Sequence, residues 1–374
     1  MSLSPEIARE TMKRAIALAS RGVGHAEPNP MVGCVILDSA GIIAEGYHRR
    51  CGGPHAERDA LANVADADRG RLADSTMVVT LEPCCHHGRT PPCTDAILEA
   101  GIRRVVVGML DPYEEVAGRG VKLLREHGVR VEVLNRDDVR ELNHAYLTRV
   151  TKQRPWVIAK WAMTLDGKIA TRLGDSQWIS SAASRQWVHQ LRSRMDAIVV
   201  GRRTAELDDP SLTVRGIDNP PRTPVRVVVD SQLRLSPTSK LAQTARVTPT
   251  VLWCGSDASN ASQQRLEDLG VVVRRSDADD SNGRLPALLR WLAKERQATN
   301  ILVEGGGQIL GSLLDQKLID QCEVFVGAKI VGGANAATPV AGLGFERLKD
   351  TPGVEIREVE QLEADIRLSC RLNW

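Results

Sequence analysis

The chain contains 374 residues, a length that predicts about two domains of roughly 150 residues each. Its 49 Lys and Arg residues nearly balance its 47 Asp and Glu residues, so the net charge of +2 provides no strong field to hold a polyanion or an anionic membrane. Aromatic residues make up only 3%, which leaves little surface on which nucleic-acid bases would stack. This composition argues against a dedicated nucleic-acid binder and a membrane protein.

The first predicted element is an amphipathic helix from Pro5 to Ser20. Charges at Glu6, Arg9 and Glu10 interrupt any apolar signal segment, and no stretch approaches the ~18 apolar residues of a spanning helix. Eight cysteines are too sparse for a disulfide scaffold and are typical of a reducing compartment. We therefore expect a cytoplasmic protein.

The first 150 residues then alternate between apolar runs and helical patterns. The predicted elements are an apolar run at Met31–Leu37, a helix at about His55–Ala65, a strand at Thr76–Leu81, a helix from about Thr94, and a strand at Arg104–Met109. Apolar runs separated by helical patterns indicate a sheet with helices on its faces.

A second block of similar composition begins near Pro155. Its predicted strands are Trp156–Ala159, Ala197–Val200, Val225–Val229 and Asn300–Val303. The short polar segment Thr151–Pro155 separates the blocks, and its proline ends the preceding helix. The sequence therefore predicts two α/β domains, at 1–150 and 151–374.

The strongest chemical signal is His55-Ala56-Glu57, followed by Pro83-Cys84 and Cys93. One imidazole and two thiolates provide three ligands for Zn²⁺, and such a site keeps a fourth position for water, as catalytic zinc sites do. Zinc lowers the pKa of that water toward ~7. Glu57 does not share a helix face with His55 and is better suited to transfer the water's proton to a leaving nitrogen. This pattern is the signature of zinc-dependent nucleobase deaminases.

The segment between the two cysteines is longer than the usual two residues of that signature. It carries His86, His87 and Arg89, which favour an anionic and therefore phosphorylated substrate. The alternative is a structural zinc site, which a fourth ligand from Cys85, His86 or His87 would create. Cys85 is better explained by packing, because adjacent cysteines rarely bind the same ion.

A weaker signal lies in the second block, where Asn300–Val303 leads into Glu304-Gly305-Gly306-Gly307-Gln308. A strand, a glycine-rich turn and a helix N-terminus let backbone N–H groups approach a phosphate. The G-x-G-x-x-G fingerprint of dinucleotide-binding sites is absent from the sequence. A plain tight turn explains the three glycines equally well.

The motifs in both blocks together resemble one known family, the bifunctional deaminase/reductases of riboflavin biosynthesis. The matching segments are Asn29–Gly33, Gly46–His48, Gly53–Glu57, Thr80–Cys84, Pro92-Cys93, Leu165–Lys168, Ser176–Ile179, Asp208–Arg215 and Val303–Gly306. The resemblance implies a cytidine-deaminase-like three-layer α/β domain followed by a dihydrofolate-reductase-like α/β domain. It implies that the first domain deaminates 2,5-diamino-6-ribosylamino-4(3H)-pyrimidinone 5′-phosphate and that the second uses NADPH to reduce the ribosyl side chain of the product to ribityl.

The resemblance also implies roles for individual residues. In the first domain, His55, Cys84 and Cys93 would bind zinc, Glu57 would transfer the proton, and Asn29, His48, His86 and Arg89 would contact the substrate. The cofactor contacts would be Ala162, Trp178, Thr204, Asp208, Ser231, Gly306, Gly307, Gln308, Ile309, Leu310, Gly311 and Ser312. The reductase substrate contacts would be Ser176, Arg192, Leu212, Arg215 and Glu304.

Lys160 stands alone in an apolar strand, where it can assist near the opened sugar of the reductase substrate. An edge lysine that extends its amine to water is the alternative.

We expect the partner to be a small phosphorylated pyrimidine, with no nucleic acid and no membrane, and we leave open a homo-oligomer. Two rival functions remain: a deaminase of tRNA or single-stranded DNA, and a non-enzymatic module stabilised by zinc. Glu57 discriminates against the second, because a structural zinc has no use for an acid/base residue. A third alternative is that only one half is active.

Overall fold

The structure is a computed structural model that describes residues 3–87, 91–278 and 280–374. The chain forms two compact units, Met1–Gln153 and Arg154–Trp374. Each unit contains its own sheet and its own apolar cores.

The first unit contains one five-stranded sheet and its helices. Its helices are α1 (Pro5–Ala19), α2 (Ala56–Ala62), α3 (Cys93–Glu99), α4 (Arg119–Glu126), α5 (Asp137–Leu142) and α6 (His144–Lys152). Its strands are β1 (Gly33–Asp38), β2 (Gly41–Tyr47), β3 (Thr76–Leu81), β4 (Arg104–Met109) and β5 (Arg130–Val133). Segments of 3-10 helix occupy Ser20–Gly22 and Asp66–Asp74.

The strand order is β2-β1-β3-β4-β5, and β1 runs antiparallel to both neighbours while β3, β4 and β5 are parallel. Successive side chains of a strand point to opposite faces, so Val35 and Ile36 are both fully buried but in different cores. Residues of α2, α3 and α4 cover one face, and residues of α1 and α5 cover the other. The result is a three-layer α/β unit.

The second unit contains one nine-stranded sheet. Its strands are β6 (Trp156–Thr164), β7 (Ala197–Gly201), β8 (Val225–Val229), β9 (Thr250–Cys254), β10 (Val272–Arg275), β11 (Asn300–Glu304), β12 (Gln321–Gly327), β13 (Gly353–Leu362) and β14 (Asp365–Asn373). Its helices are α7 (Ala182–Arg192), α8 (Arg202–Asp208), α9 (Lys240–Gln243), α10 (Asn260–Glu267), α11 (Ser281–Glu295) and α12 (Gly307–Asp315), with a 3-10 turn at Leu348–Asp350.

The strand order of this sheet is β10-β9-β8-β7-β11-β6-β12-β14-β13. All strands from β10 to β12 are parallel, and the antiparallel hairpin β13–β14 closes the sheet beside β12. Because the carboxyl ends of parallel strands meet at one edge, β6, β7, β8 and β11 present the residues that follow them to a shared crevice.

The strands and helices predicted from the sequence are confirmed, and β3 and β4 have the predicted bounds. The structure adds β2 and β5 in the first unit, and β9, β10, β12 and the long hairpin of β13 and β14 in the second. Among the described residues, no helix combines the length and apolarity that crossing a bilayer requires.

Candidate functional site

Three side chains with metal-binding atoms meet beside β3 in the first unit. His55 caps the amino end of α2, Cys84 follows the carboxyl end of β3, and Cys93 is the first residue of α3. The Nδ1 atom of His55 lies 3.4 Å from the Sγ atom of Cys84 and 3.4 Å from that of Cys93. All three atoms lie within 4.8 Å of one another.

This donor set fits a zinc ion. Zinc binds cysteine sulfur at about 2.3 Å and histidine nitrogen at about 2.0 to 2.1 Å, so tetrahedral ligands lie about 3.5 to 3.8 Å apart. The observed separations of 3.4 Å are close to that spacing. Within residues 3–87, 91–278 and 280–374, no fourth His, Cys, Asp or Glu joins the group. Three protein ligands are typical of a catalytic rather than a structural zinc site.

The carboxyl group of Glu57 faces this cluster. Glu57 is only 3% exposed, and its side chain contacts the thiol of Cys93. Burial raises the pKa of Glu57 to about 7, and the nearby Cys84 sulfur adds to the effect. Hydrogen bonds from Cys93 and from His55 lower the pKa of the Cys84 thiol. A carboxyl group that ionises near neutral pH is suited to accept and return a proton.

Asn29 and His48 lie on the imidazole side of the cluster. The His48 side chain is buried, and its Nδ1 atom lies 2.9 Å from the carbonyl oxygen of Pro54. The Nδ2 atom of Asn29 lies 3.2 Å from Nε2 of His48. The rings of His48 and His55 meet edge to face at 5.3 Å. The structure therefore brings these two predicted substrate contacts beside a metal ligand.

The structure describes only part of the segment between Cys84 and Cys93. The half-buried His86 places its Nε2 atom 3.7 Å from Oε2 of Glu115, and its ring is 6.3 Å from that of Tyr113. Within the described part of the chain, the buried Nδ1 atom of His86 has no hydrogen-bond partner. His87 is exposed. Arg89, the fourth predicted substrate contact, lies outside the described residues.

In the second unit, the glycine turn predicted as a phosphate cradle follows β11. Gly305 and Gly306 have φ values of +71° and +72°, a region that residues with a side chain rarely adopt. A Cβ on Gly306 would lie 2.7 Å from Oγ1 of Thr204, and one on Gly305 would lie 3.0 Å from Cγ2 of Thr204. Thr204 thus packs against the turn, in the space that a side chain at either glycine would occupy.

The helix α12 after this turn begins at a glycine cap and buries most of its first apolar side chains. Gly306 caps α12 without any side-chain hydrogen bond to the first turn. Ile309, Leu310 and Gly311 are buried, and a Cβ on Gly311 would lie 2.1 Å from the carbonyl oxygen of Ala341. The turn and the exposed Gln308 are therefore the parts of Gly306–Ser312 best placed to meet a cofactor.

Three of the predicted reductase residues meet in one buried cluster beside this turn. Arg192, at the end of α7, donates from Nε and Nη2 to the two carboxylate oxygens of Glu304 at 2.6 and 2.7 Å. Its Nη1 donates to the carbonyl oxygen of Thr213 at 3.1 Å. Lys160 is paired with Glu304 across β6 and β11, and burial lowers its pKa. Arg192 thus holds Glu304 directly, and its remaining donor capacity is small.

Lys160 does not extend its amine to water as an edge lysine would. Its Nζ lies 5.5 Å from the centre of the Phe325 ring, and the side chain is half-buried. The structure therefore favours a position in the crevice over the alternative of an edge lysine.

The other predicted residues of the second unit lie on strands and loops around the same crevice. Ala162 is on β6, Asp208 ends α8, and the buried Leu212 precedes Thr213. Trp178 is 58% exposed, and the guanidinium of Arg185 lies 4.5 Å from its ring centre. Ser231 follows β8, Ser176 lies between β6 and α7, and Arg215 is exposed on the segment between α8 and β8.

The structure also shows residues near the sites that the sequence did not single out. Arg58 donates to the carbonyl oxygens of Pro91 and Pro92, just before Cys93. Glu82 accepts three backbone N–H groups, and Asn143 binds the backbone of Met31. Of these residues, only Glu82 has a sequence signal, since it directly precedes Pro83 and Cys84. The contacts of Arg58 and Asn143 join segments that are distant in the sequence, so no local pattern indicates them.

Comparison with known proteins defines the class of protein. Residues 5–109 match the family model of the cytidine and deoxycytidylate deaminase zinc-binding region. Residues 155–368 match the model of the RibD C-terminal domain. A zinc-dependent deaminase is thus joined to an NADPH-dependent reductase in one chain. The interpretation as a non-enzymatic zinc-stabilised module is therefore wrong.

The chain belongs to the RibD family of bifunctional riboflavin biosynthesis enzymes. It is 41% identical to riboflavin biosynthesis protein RibD of Actinobacillus pleuropneumoniae, over 96% of this chain and 93% of that protein. It is 36% identical to RibD of Escherichia coli (strain K12), over 96% of this chain and 97% of that protein. The predicted family, fold class and cofactors, zinc and NADPH, are confirmed.

Solved structures give the same result. Form 1 of Acinetobacter baumannii RibD has a TM-score of 0.85 and 34% identity, covering 99% of each chain. A Thermotoga maritima protein has a TM-score of 0.80 and 35% identity, covering 98% of this chain and 99% of that one. That protein is described as a diaminohydroxyphosphoribosylaminopyrimidine deaminase/5-amino-6-(5-phosphoribosylamino)uracil reductase.

Proposed function

We propose that the two steps of this enzyme are divided between its two units. Residues 1–150 deaminate 2,5-diamino-6-ribosylamino-4(3H)-pyrimidinone 5′-phosphate. Residues 151–374 then reduce the ribosyl side chain of the product with NADPH, which gives 5-amino-6-ribitylamino-2,4(1H,3H)-pyrimidinedione 5′-phosphate. The observation that carries the proposal is the buried Glu57 carboxyl group facing His55, Cys84 and Cys93. The activities given for the Thermotoga maritima relative support it.

In the deaminase unit, His55, Cys84 and Cys93 hold the zinc ion. When bound, zinc lowers the pKa of a water molecule toward ~7, so that a hydroxide nucleophile is available near neutral pH. The Glu57 carboxyl group would hold a proton and deliver it to the amine nitrogen that leaves as ammonia. Its burial keeps bulk water from competing for the proton.

Asn29 and His48 orient the substrate on the imidazole side of this cluster. The His48 ring is fixed by Pro54, and Asn29 is fixed against His48, so both present a defined geometry before the substrate arrives. His86 and Arg89 contact the sugar and phosphate. The buried Nδ1 of His86, which has no hydrogen-bond partner among the described residues, supports this role.

In the reductase unit, NADPH supplies a hydride to the opened sugar. The backbone of Gly306, Gly307 and the first turn of α12 receives the cofactor phosphates, together with Thr204. Ala162, Trp178, Asp208 and Ser231 contact the rest of the cofactor. The protein contributes mainly orientation to this step.

The reductase substrate is held by the cluster on the other side of the same crevice. Glu304 is fixed by Arg192 and accepts hydrogen bonds from the substrate, while Lys160 assists near the opened sugar. Arg215, which is exposed, is better placed than Arg192 to meet the substrate phosphate. Ser176 and Leu212 complete the contacts.

The proposal requires one kind of partner, a small phosphorylated pyrimidine, and it is compatible with a homo-oligomer. We also propose a cytoplasmic location. All eight cysteines are free, which is typical of proteins in a reducing compartment.

The variant Glu57→Gln tests the deaminase assignment. We expect ammonia release to fall by about 10²- to 10⁴-fold, which is the usual contribution of general acid–base catalysis. Bound zinc, measured by atomic absorption, should stay at the wild-type level, because Glu57 is not a ligand. NADPH oxidation with the deaminated substrate should be unchanged.

The matched control is Glu126→Gln, which makes the same change at an exposed position of α4. It should leave both activities intact. Wild-type ammonia release from a zinc-loaded Glu57→Gln enzyme would overturn the proposed mechanism.

A further inference from the structure

Asn143 is a buried side chain at the junction of α5 and α6, and it makes an unusual contact with a distant loop. Its side chain is 1% exposed. Oδ1 accepts a hydrogen bond from the backbone N–H of Met31 at 2.8 Å, and Nδ2 donates to the carbonyl oxygen of Met31 at 2.9 Å. The amide therefore binds both backbone groups of one residue, as a neighbouring strand would.

The bound residue lies in a segment with two prolines, in which the backbone N–H of Asn29 donates to the carbonyl oxygen of Ala26 at 3.1 Å. Pro28 and Pro30 have no backbone N–H, so neither can donate a hydrogen bond to the rest of the unit. Met31 is the first residue after both prolines that has a backbone N–H, and it precedes β1, which begins at Gly33. Asn143 supplies at this point the pairing that the sheet does not yet provide.

Asn29 lies two positions before Met31 and carries the side chain that reaches the site. Its Nδ2 atom is 3.2 Å from Nε2 of His48, and the His48 ring packs against that of His55. Pro30, whose ring fixes its own φ angle, is the one residue between Asn29 and Met31, so the position of Met31 is transmitted to Asn29 through a single stiffened residue. Asn143 is thus connected to the deaminase site by its two hydrogen bonds to Met31 and by the short segment from Met31 back to Asn29.

We propose that Asn143 is a positioning residue for substrate binding in the deaminase unit, acting through the backbone of Met31 on Asn29. The inference rests on the proposed function, since it assumes that Asn29 contacts the deaminase substrate. Residues 5–109 match the deaminase family model, so Asn143 lies outside the segment that defines the metal site.

The decisive variant is Asn143→Asp. The second carboxylate oxygen then faces the carbonyl oxygen of Met31, so the contact that Nδ2 makes is replaced by repulsion. We expect the KM of ammonia release to rise about 10- to 100-fold, since misplacement by about 1 Å has effects of that size. The kcat should change less than the KM, because Glu57 and the zinc ligands are not touched.

The matched control is Asn63→Asp. Asn63 lies in the same unit, at the end of α2, and its Nδ2 also donates to a backbone carbonyl oxygen, that of Glu45, at 2.8 Å. This variant should leave the KM at the wild-type value. Zinc content reports on folding of the first unit in each variant, NADPH oxidation serves as an internal reference from the second unit, and Asn143→Ser repeats the measurement without an added charge.

The variant Asn29→Ala distinguishes the positioning role of Asn143 from the substrate contact proposed for Asn29. If Asn143 acts through Asn29, the double variant should have the same KM as Asn29→Ala alone. An unchanged KM in Asn143→Asp, independent effects of the two substitutions, or loss of zinc from both Asn143 variants would overturn the positioning role. If Asn29→Ala itself leaves the KM unchanged, the role proposed for Asn29 fails, and the inference fails with it.

Discussion

At the scale of single residues, Glu82 shows how a side chain that binds no metal can determine the geometry of a metal site. Its carboxylate is 4% exposed and accepts backbone N–H groups from Asp111 at 3.2 Å, Gly118 at 2.9 Å and Val121 at 3.0 Å. Glu82 comes directly before Pro83 and Cys84 in the sequence. It therefore ties the segment that carries a zinc ligand to residues 111–121.

We expect Glu82→Gln to destabilise the first unit. The amide has one acceptor oxygen instead of two and brings a donor toward backbone N–H groups, so at least one buried group loses its partner. That loss costs about 1 to 3 kcal/mol in the free energy of unfolding. Urea denaturation, with zinc release as the signal, measures the change in the free energy of unfolding.

The control for this prediction is again Glu126→Gln, since Glu126 is exposed and its ion pair with Lys122 is long, at 3.8 Å. It should change the free energy of unfolding by less than about 0.5 kcal/mol. Equal urea-denaturation midpoints for Glu82→Gln and Glu126→Gln would contradict the role given to Glu82.

The zinc cluster could be predicted from the sequence, whereas the backbone contacts of Glu82 and Asn143 could not. Cysteine and histidine side chains at short spacings carry their chemistry in the residue type itself. A buried carboxylate or amide that binds backbone 29 to 39 or 112 residues away has no local pattern, because its partners are brought near only by the fold.

At the scale of elements, the helix that carries Glu57 packs directly on a strand. A Cβ on Gly46 of β2 would lie 2.2 Å from the backbone nitrogen of Ala60 and 2.6 Å from the carbonyl oxygen of Ala56, both on α2. No side chain fits between these two backbones. The close approach sets the distance of α2 from the sheet and thus the position of Glu57 and of His55 at its amino end.

We expect Gly46→Ala to displace α2 and to weaken both zinc binding and ammonia release. Insertion of a methyl group into such a contact costs about 1 to 3 kcal/mol or more. The measurements are zinc content after dialysis and the rate of ammonia release, with NADPH oxidation as an internal reference.

Gly70→Ala is the matched control, because a Cβ there meets nothing within 4 Å and the backbone is not in the left-handed region. The two variants should therefore differ clearly in zinc content. Retention of zinc and of ammonia release by Gly46→Ala would show that the α2 contact is not needed to hold the site.

Several strands with strong apolar runs were predicted, but the fully buried β9 and the largely buried β12 were missed, as were the weakly patterned strands. Every residue of β3 is buried, which gives a continuous apolar signal. The strand β2 is exposed at its start and half-buried at its end, and most of β13 is exposed. Such strands owe their conformation to pairing with β1 and β14, which a single sequence does not reveal.

At the scale of the whole molecule, the two candidate sites are built from different sheets. The zinc ligands belong to α2, α3 and the end of β3, while the glycine turn and the Arg192–Glu304 pair belong to α7, β11 and α12. No described residue of the second unit belongs to the zinc-ligand group. The two reactions therefore depend on separate sets of side chains.

Removal of zinc with a chelator should thus separate the two activities. We expect ammonia release to disappear, because the three ligands then hold no ion. NADPH oxidation with the deaminated substrate should persist at the wild-type rate, since hydride transfer needs no metal. Both are followed in one sample, and added Zn²⁺ should restore ammonia release. A parallel fall of NADPH oxidation would contradict the independence of the sites.

The hydrogen bonds of Asn143 and of Tyr146 also determine where the first half of the chain can be cut. Tyr146 on α6 donates to the buried Asp111, and Asn143 holds Met31. A fragment that stops at residue 109 would keep the three zinc ligands His55, Cys84 and Cys93. It would lose the hydrogen bonds of Asn143 and Tyr146, together with α4, α5 and α6. Any attempt to prepare the deaminase half separately should therefore extend through α6 and end no earlier than Gln153.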